Sequence, residues 1–192
     1  MPRPPAHPLG APSGPAACGI LPLVQPVATP PLTRGWRPGL LGDVVALQAR
    51  CYAKEWGFGT FFEAKLAREM SEFAGRYDPA QDLVLSVALH ARTAGSITID
   101  GSDPAAPERF LHLRWFIVDD SLRKRGIGRA LLDTCLRFAR TTGRPGIYLW
   151  TFAGLEAARR LYDAAGFQLV EEHVGTTWGT QVAEQRFVLT LS

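Results

Sequence analysis

The stretch LHLRWFIVDDSLRKRGIGRALLDTCLRFART, Leu111 to Thr141, constrains the fold most, because it spells a strand, a basic glycine turn and an amphipathic helix without interruption. Leu111, Leu113, Trp115, Phe116, Ile117 and Val118 are aliphatic or aromatic, and the last four form an unbroken apolar run. That is the pattern of a strand covered on both faces. Asp119-Asp120-Ser121 ends it. From Arg129 the spacing becomes helical: Leu131, Leu132, Cys135, Leu136, Phe138 and Ala139 share one side of a repeat of about 3.6 residues, with Asp133, Arg137 and Arg140 opposite. Gly143 is expected to close this helix.

Between strand and helix lie Arg123, Lys124, Arg125, Gly126, Ile127 and Gly128, with Arg129 opening the helix. Two glycines let backbone N–H groups approach an anion at the positive end of a helix, and the basic side chains add charge for phosphate oxygens. Each effect alone is worth only ~0.3–1 kcal/mol at an exposed terminus, but here they converge. Neither G-x-G-x-x-G nor G-x-x-x-x-G-K-[ST] is present, which argues against a dinucleotide or nucleoside-triphosphate loop. An ordinary strand-to-helix connection is the plainer alternative, although cations at a helix N-terminus oppose its dipole unless an anion is held there.

The rest of the chain frames that stretch. Residues 1–37 hold most of the fifteen prolines and little periodicity, and are expected to form a flexible extension ahead of a single domain at 38–192. Its spacings Pro5 to Pro8 and Pro12 to Pro15 also fit a proline-rich ligand. Ile20 to Val24 is broken by Pro22 and too short for a signal-peptide core. A helix is expected from Asp43 to about Tyr52, a loop with Trp56 and Phe58, and a second helix from Thr60 to Ala74 stopped by Gly75. Strands follow at Leu83–Leu89 and Ser96–Asp100, with Thr93-Ala94-Gly95 as the hairpin turn. After the central stretch come a strand at Gly146–Thr151, a helix carrying Ala157, Ala158, Leu161, Tyr162 and Ala165, and strands at Phe167–His173 and Gln185–Leu191.

Composition excludes several classes. No apolar run approaches the ~20 residues that span a bilayer, and a formal charge of +3, much of it in the turn and along one helix, is too small for a nucleic-acid face. Cys18, Cys51 and Cys135 have no metal-ligand spacing, and their odd number argues against a disulfide framework, so a reducing, cytoplasmic setting without a metal is expected. Cys135 falls on the apolar helix face and reads as core.

The R-x-x-G-x-G run Arg123 to Gly128, placed between strand and helix, resembles the acetyl-coenzyme A loop of the GNAT (Gcn5-related N-acetyltransferase) family. Ala158-x-x-Leu161-Tyr162 followed by Ala165-Gly166-Phe167 resembles that family's second signature, A-x-x-L-Y-x-x-x-G-F. LRWFIVDD, IYLWTFAGLEAARRLYDAAGF and TTWGTQVAEQRF are most similar to the acetyltransferase half of bacterial MarR-GNAT fusion proteins. The ~38 residues ahead of the domain are too few for a winged helix, so no DNA binding is carried over.

The resemblance implies an α/β (α+β) fold with a mixed, mostly antiparallel central sheet flanked by helices. It implies acetyl transfer from acetyl-coenzyme A, as cosubstrate, to a small-molecule or peptide amine by direct attack in a ternary complex, in a bacterial monomer or homodimer. Phe116, Ile117 and Val118 would pair with the pantetheine arm, and the turn from Arg123 to Arg129 would hold the pyrophosphate. Tyr162 matches the tyrosine that protonates the departing thiolate. Many members carry an asparagine seven residues before that tyrosine; this chain has Leu155, leaving Thr151 or the backbone of 152–154 to substitute. A non-catalytic acyl-coenzyme A module of the same fold is the alternative.

The acceptor must also lose a proton. Glu108, His112, Glu171, Glu172, His173 and Glu184 are candidates, His112 first because it alternates with Leu111 and Leu113. Trp56, Phe58, Trp115 and Trp178 are candidate walls of the acceptor site.

Overall fold

The structure, a computed structural model, describes residues 30–191. Seven strands make one sheet: β1 Leu32–Arg34, β2 Leu83–Leu89, β3 Arg92–Asp100, β4 Leu111–Val118, β5 Gly146–Phe152, β6 Gln168–Gly175 and β7 Val182–Thr190. Their order is β1-β2-β3-β4-β5-β7-β6, and every pairing is antiparallel except β4 with β5. Helices α3 Ile127–Thr141 and α4 Glu156–Ala165 cover one face, burying Leu131, Leu132, Cys135 and Tyr162 against Leu83, Ile97, Leu111 and Phe187. On the other face α1 Leu40–Trp56 and α2 Thr60–Arg76 bury Val44, Phe62, Leu66, Met70 and Phe73 against Val84, Trp115 and Phe152. Each such side chain contributes roughly 1.5–3 kcal/mol of burial, so the sheet is held from both sides by cores of comparable kind.

Several expected boundaries move. Leu32–Arg34 pairs with Val87–Leu85, so the edge strand lies inside the segment read as an extension; the proline pattern falls mainly on residues 1–29, outside the described residues. The β2–β3 hairpin turns at His90-Ala91, both with positive φ (49° and 64°), and Thr93 to Gly95 belong to β3. A left-handed pair at a two-residue turn matches the strand twist, and Gly95 misdirected the reading because glycine in a strand resembles a turn signal. Gly75 does not stop α2, which runs on to Arg76, where the guanidinium reaches Asp100 and Ser102. The first helix is longer than expected at both ends, framed by Gly39 and Gly57 in left-handed conformations.

The feature that places the site is in β4. Arg114 pairs with Thr98 and Ile117 with Ser96, so β4 carries one residue more than β3 in between, a bulge at which Trp115 has φ 50°. Ser96 Oγ donates to the Trp115 carbonyl at 2.9 Å and holds it. The bulge reverses the alternation: Leu111 and Leu113 face α3, Trp115 faces α1 and α2, and Phe116 and Val118 return to the α3 side. An unbroken apolar run in the sequence thus reports a strand that changes faces. Parallel pairing with β5 is confined to Leu111↔Ile147 and His112↔Tyr148, beyond which the two strands part.

Candidate active site

At the C-terminal end of β4 the chain crosses a short 3-10 turn, Asp120–Leu122, and enters α3. Gly126 caps the helix with φ 77°, no side chain caps it, and the first helical bond is Ala130 N–H to the Gly126 carbonyl at 3.0 Å. The preceding amides, Ile127 to Arg129, therefore have no intrahelical acceptor and are available to an anion. The two glycines divide their roles. A side chain on Gly126 would meet open space but strained backbone, whereas a Cβ on Gly128 would lie 3.1 Å from Leu161 and 3.6 Å from the Phe116 ring. Gly128 thus also serves the close approach of α3 to α4 and β4. Lys124, Arg125 and Arg129 are exposed around the helix end. Arg123 is turned away, to Asp120 at 2.9 Å and Glu55 at 3.4 Å.

Where β4 and β5 part, a cavity of about 460 Å³ opens between the two helical layers. Its walls come from α1 (Gln48, Tyr52), α2 (Phe62, Lys65, Leu66, Glu69), β4 (His112 to Phe116), β5 (Leu149 to Phe152), α4 (Ala158, Tyr162) with Leu155 just before it, and the β6–β7 hairpin (Glu171, His173, Thr177, Trp178, Glu184). One space therefore touches the expected coenzyme strand, the expected acid and the hairpin expected on the acceptor side.

His112 sits at the fork, in the last paired position before the strands separate. Its ring stacks on Tyr148 at 4.2 Å between centroids, and its Nδ1 lies 2.5 Å from Asp103 Oδ2, which also accepts from the Tyr148 hydroxyl at 2.9 Å. Asp103 is fixed by its own turn, in which Ala105 N–H donates to Oδ1 at 2.8 Å. The hydrogen bond from His112, with those from Ala105 and Tyr148, holds the Asp103 carboxyl far below the usual range. Burial pushes the imidazole below its ordinary 6.5 despite the carboxylate. An ionised Asp103 can only accept, so Nδ1 carries the proton and Nε2 keeps a free lone pair. A neutral, oriented imidazole of this kind is a competent base near neutrality.

Tyr162 is buried at the opposite wall, on α4, between Phe116, Phe167 and Phe187. Burial, and secondarily Tyr52, raises its phenol well above the ordinary value, so it holds its proton firmly. Leu155, the residue before α4, packs into the α1–α2 cluster. It offers no polar contact where many family members have an amide. The preceding Gly154, φ 98°, has the Trp56 ring seated over it, and any Cβ there would collide with the indole.

The other sequence candidates separate clearly. Trp115 and Trp178 line the cavity. Phe58 is buried in the core, and Trp56 packs behind the wall on Phe152 at 5.0 Å and over Gly154, so neither is a wall residue. Glu171, His173 and Glu184 reach the cavity, whereas Glu172 is exposed and accepts from Gln185. Ile117 and Val118 follow Phe116 beyond the described lining. Sequence reasoning missed Asp103, Tyr148, Gln48 and Arg114. Asp103-Pro104 carried a turn signal only, and nothing in its spacing announced that the loop folds back onto His112. Among the described residues no group of three or more His, Cys, Asp or Glu could hold a metal ion, and no helix is long and apolar enough to cross a membrane.

Comparison with known proteins agrees with this layout. The family model described as Acetyltransferase (GNAT) family matches residues 42–167. Human N-acetyltransferase 8 is 26% identical over 168 residues, spanning 85% of this chain and 73% of its own length. Among solved structures, an acetyltransferase of GNAT family from Staphylococcus aureus Mu50 superposes with a TM-score of 0.64 at 16% identity, over 84% of this chain and all of its own. An acetyltransferase from Bacillus anthracis, solved in complex with acetyl coenzyme A, superposes with a TM-score of 0.50 at 18% identity, over 62% of this chain and 68% of its own. The last two likenesses are of fold.

Proposed function

Because the chain belongs to the acetyltransferase (GNAT) family, we propose that it is an N-acetyltransferase moving an acetyl group from acetyl-coenzyme A to an amine by direct attack. One observation carries the reading: the cavity opened by the parting of β4 and β5 has Tyr162 on one wall and an Asp103-held His112 on another. Acetyl-coenzyme A supplies the acyl group as a thioester. The amides of Ile127 to Arg129, with Lys124, Arg125 and Arg129 around them, suit its pyrophosphate. The backbone of Phe116 to Val118, left without a neighbour on the β5 side, suits the pantetheine arm as an added strand.

His112 Nε2 takes the proton that the acceptor ammonium must lose, and Asp103 keeps the ring in the required tautomer. Tyr162 offers its hydroxyl proton as a hydrogen bond where charge develops on the leaving sulfur. Its raised pKa suits donation of a bond without full ionisation. A module that holds the coenzyme without catalysis draws no support from a cavity furnished with both groups.

The resemblance of LRWFIVDD and TTWGTQVAEQRF to MarR-GNAT halves, read from the sequence alone, is what supports a bacterial enzyme. Among the described residues Cys51 and Cys135 form no disulfide, which supports a reducing, cytoplasmic setting. Titration with acetyl-coenzyme A followed by thiol release against a panel of amines tests the reading. Binding with release in the presence of an amine is expected; binding with no release on any amine contradicts it.

A further inference from the structure

The fork between β4 and β5 is faced by a tyrosine from each helical layer. Tyr162 belongs to the core between the sheet and α3–α4, Tyr52 on α1 packs against the core on the other side, and both line the same cavity. Their phenols lie near enough that Tyr52 contributes to the raised pKa of Tyr162. Acetyl transfer as described above uses only Tyr162.

The Tyr52 ring is held by apolar neighbours: Phe58 lies at 5.8 Å between centroids, and Phe62 and Phe152 meet it edge to face at 5.5 Å and 5.6 Å. The stretch of α1 that carries it is held as well. From the turn after β4, the Arg123 guanidinium reaches Glu55 at 3.4 Å, the Cys51 sulfur at 3.5 Å and the Val118 carbonyl at 3.4 Å. Arg123 is therefore a strut that ties this turn of α1 to the end of β4. A phenylalanine would satisfy every contact of the Tyr52 ring, so packing does not account for the hydroxyl. Among the described residues it has no hydrogen-bond partner, and burial, then the neighbouring Cys51 and Glu55, raise its pKa against Arg123, so it keeps its proton. A protonated phenol on a cavity wall is a donor in want of an acceptor.

We propose that Tyr52 donates its hydroxyl to the carbonyl oxygen of the acetyl thioester, while Tyr162 meets the sulfur. This deepens the acetyl-transfer reading and rests on it. As the amine nitrogen bonds to the carbonyl carbon, the C=O electron pair moves onto oxygen, where the bond from Tyr52 strengthens. That pair then re-forms C=O, the C–S bond breaks, and sulfur leaves with its electrons toward Tyr162. The amine's proton goes to His112. The two phenols thus divide the two sites of developing charge, and Tyr52 itself never ionises.

The test reads the thioester directly. Acetyl-coenzyme A labelled with carbon-13 at the carbonyl is bound to the full chain without acceptor, and its labelled band is followed by infrared difference spectroscopy. Tyr52→Phe is expected to shift the band to higher wavenumber than in the native complex. Tyr162→Phe and Gln48→Leu, the latter at the other polar side chain that α1 brings to the cavity, are expected to shift it far less. Tyr52→Phe should bind acetyl-coenzyme A about fivefold more weakly and free coenzyme A equally well, since only the thioester carries the acetyl oxygen. With an amine found by thiol release, its kcat should fall about a hundredfold.

A band that Tyr52→Phe leaves in place, a band moved instead by Gln48→Leu, or an equal loss of affinity for coenzyme A and acetyl-coenzyme A overturns the assignment while acetyl transfer stands. Failure of the native chain to bind the labelled thioester overturns acetyl transfer itself.

Discussion

The glycine turn before α3 and the cavity at the fork of β4 and β5 are built by different means. At the N-terminus of α3 the expected contacts are backbone: uncapped amides at Ile127 to Arg129 behind a left-handed Gly126, and a strand edge at Phe116 to Val118. On the α1–α2 and β6–β7 side the cavity is lined by side chains drawn from distant parts of the sequence, among them Gln48, Glu69, His112 and Glu184, with Asp103 held on His112. Backbone recognition needs only a local pattern of glycine, strand and helix, whereas side-chain recognition needs the finished fold. The first can be shared by many chains with different partners; the second sets what each one accepts.

This contrast predicts unequal responses to substitution. Gly126→Glu should abolish acetyl-coenzyme A binding in calorimetry. It places a carboxylate beside the amides and a side chain on backbone with φ 77°, itself costing roughly 1–2 kcal/mol. Retained affinity would show that the anion is not held there, and the contrast would collapse. Asp100→Ala should cost about 3–5 kcal/mol in denaturant unfolding, because the fully buried carboxylate joins Arg76 at 2.5 Å and Arg114 at 3.3 Å beneath the acceptor side. A change under about 1 kcal/mol would mean that this end needs no such network.

Tyr162→Phe should lower kcat about a hundredfold while leaving the coenzyme dissociation constant within about twofold. An equal loss in both would reassign the phenol to binding or packing. Asp103→Asn should lower the plateau of kcat/KM about tenfold, since an amide no longer enforces the tautomer.

The pH dependence follows from the same group. As the proposed base His112 works in its neutral form, and burial lowers its pKa below 6.5, so activity should be complete at neutral pH and fall in acid as the ring is protonated. Asp103 opposes that downward shift, so its loss should move the acid limb to still lower pH. A limb that stays in place in Asp103→Asn would exclude His112 as the base. Stability should follow the same sign: a histidine favoured neutral in the fold contributes above about pH 6.5 and less as pH falls through that value.

The fold was legible where residues carry local meaning. The turn at Arg123 to Gly128, the apolar face of α3 with Cys135 in the core, and the Tyr162 helix closed by Gly166-Phe167 all lie where periodicity and glycine place them. The edge strand Leu32–Arg34 was hidden because three residues beside prolines carry no alternation. The β4 bulge was hidden for a different reason: Trp115 and Phe116 are both apolar, so a change of face leaves the pattern unbroken. In the site, the placing of His112 on the face of β4 opposite Leu111 and Leu113 could be read from its alternation. Asp103 could not, because its importance arises only when the loop before β4 folds back over the fork.

A crystal structure with coenzyme A tests the account most directly. The sulfur should lie between β4 and β5, within about 3.5 Å of the Tyr162 hydroxyl, with the pyrophosphate on the amides of Ile127 to Arg129. A coenzyme bound with its sulfur outside that fork, or with the α3 amides untouched, would contradict it.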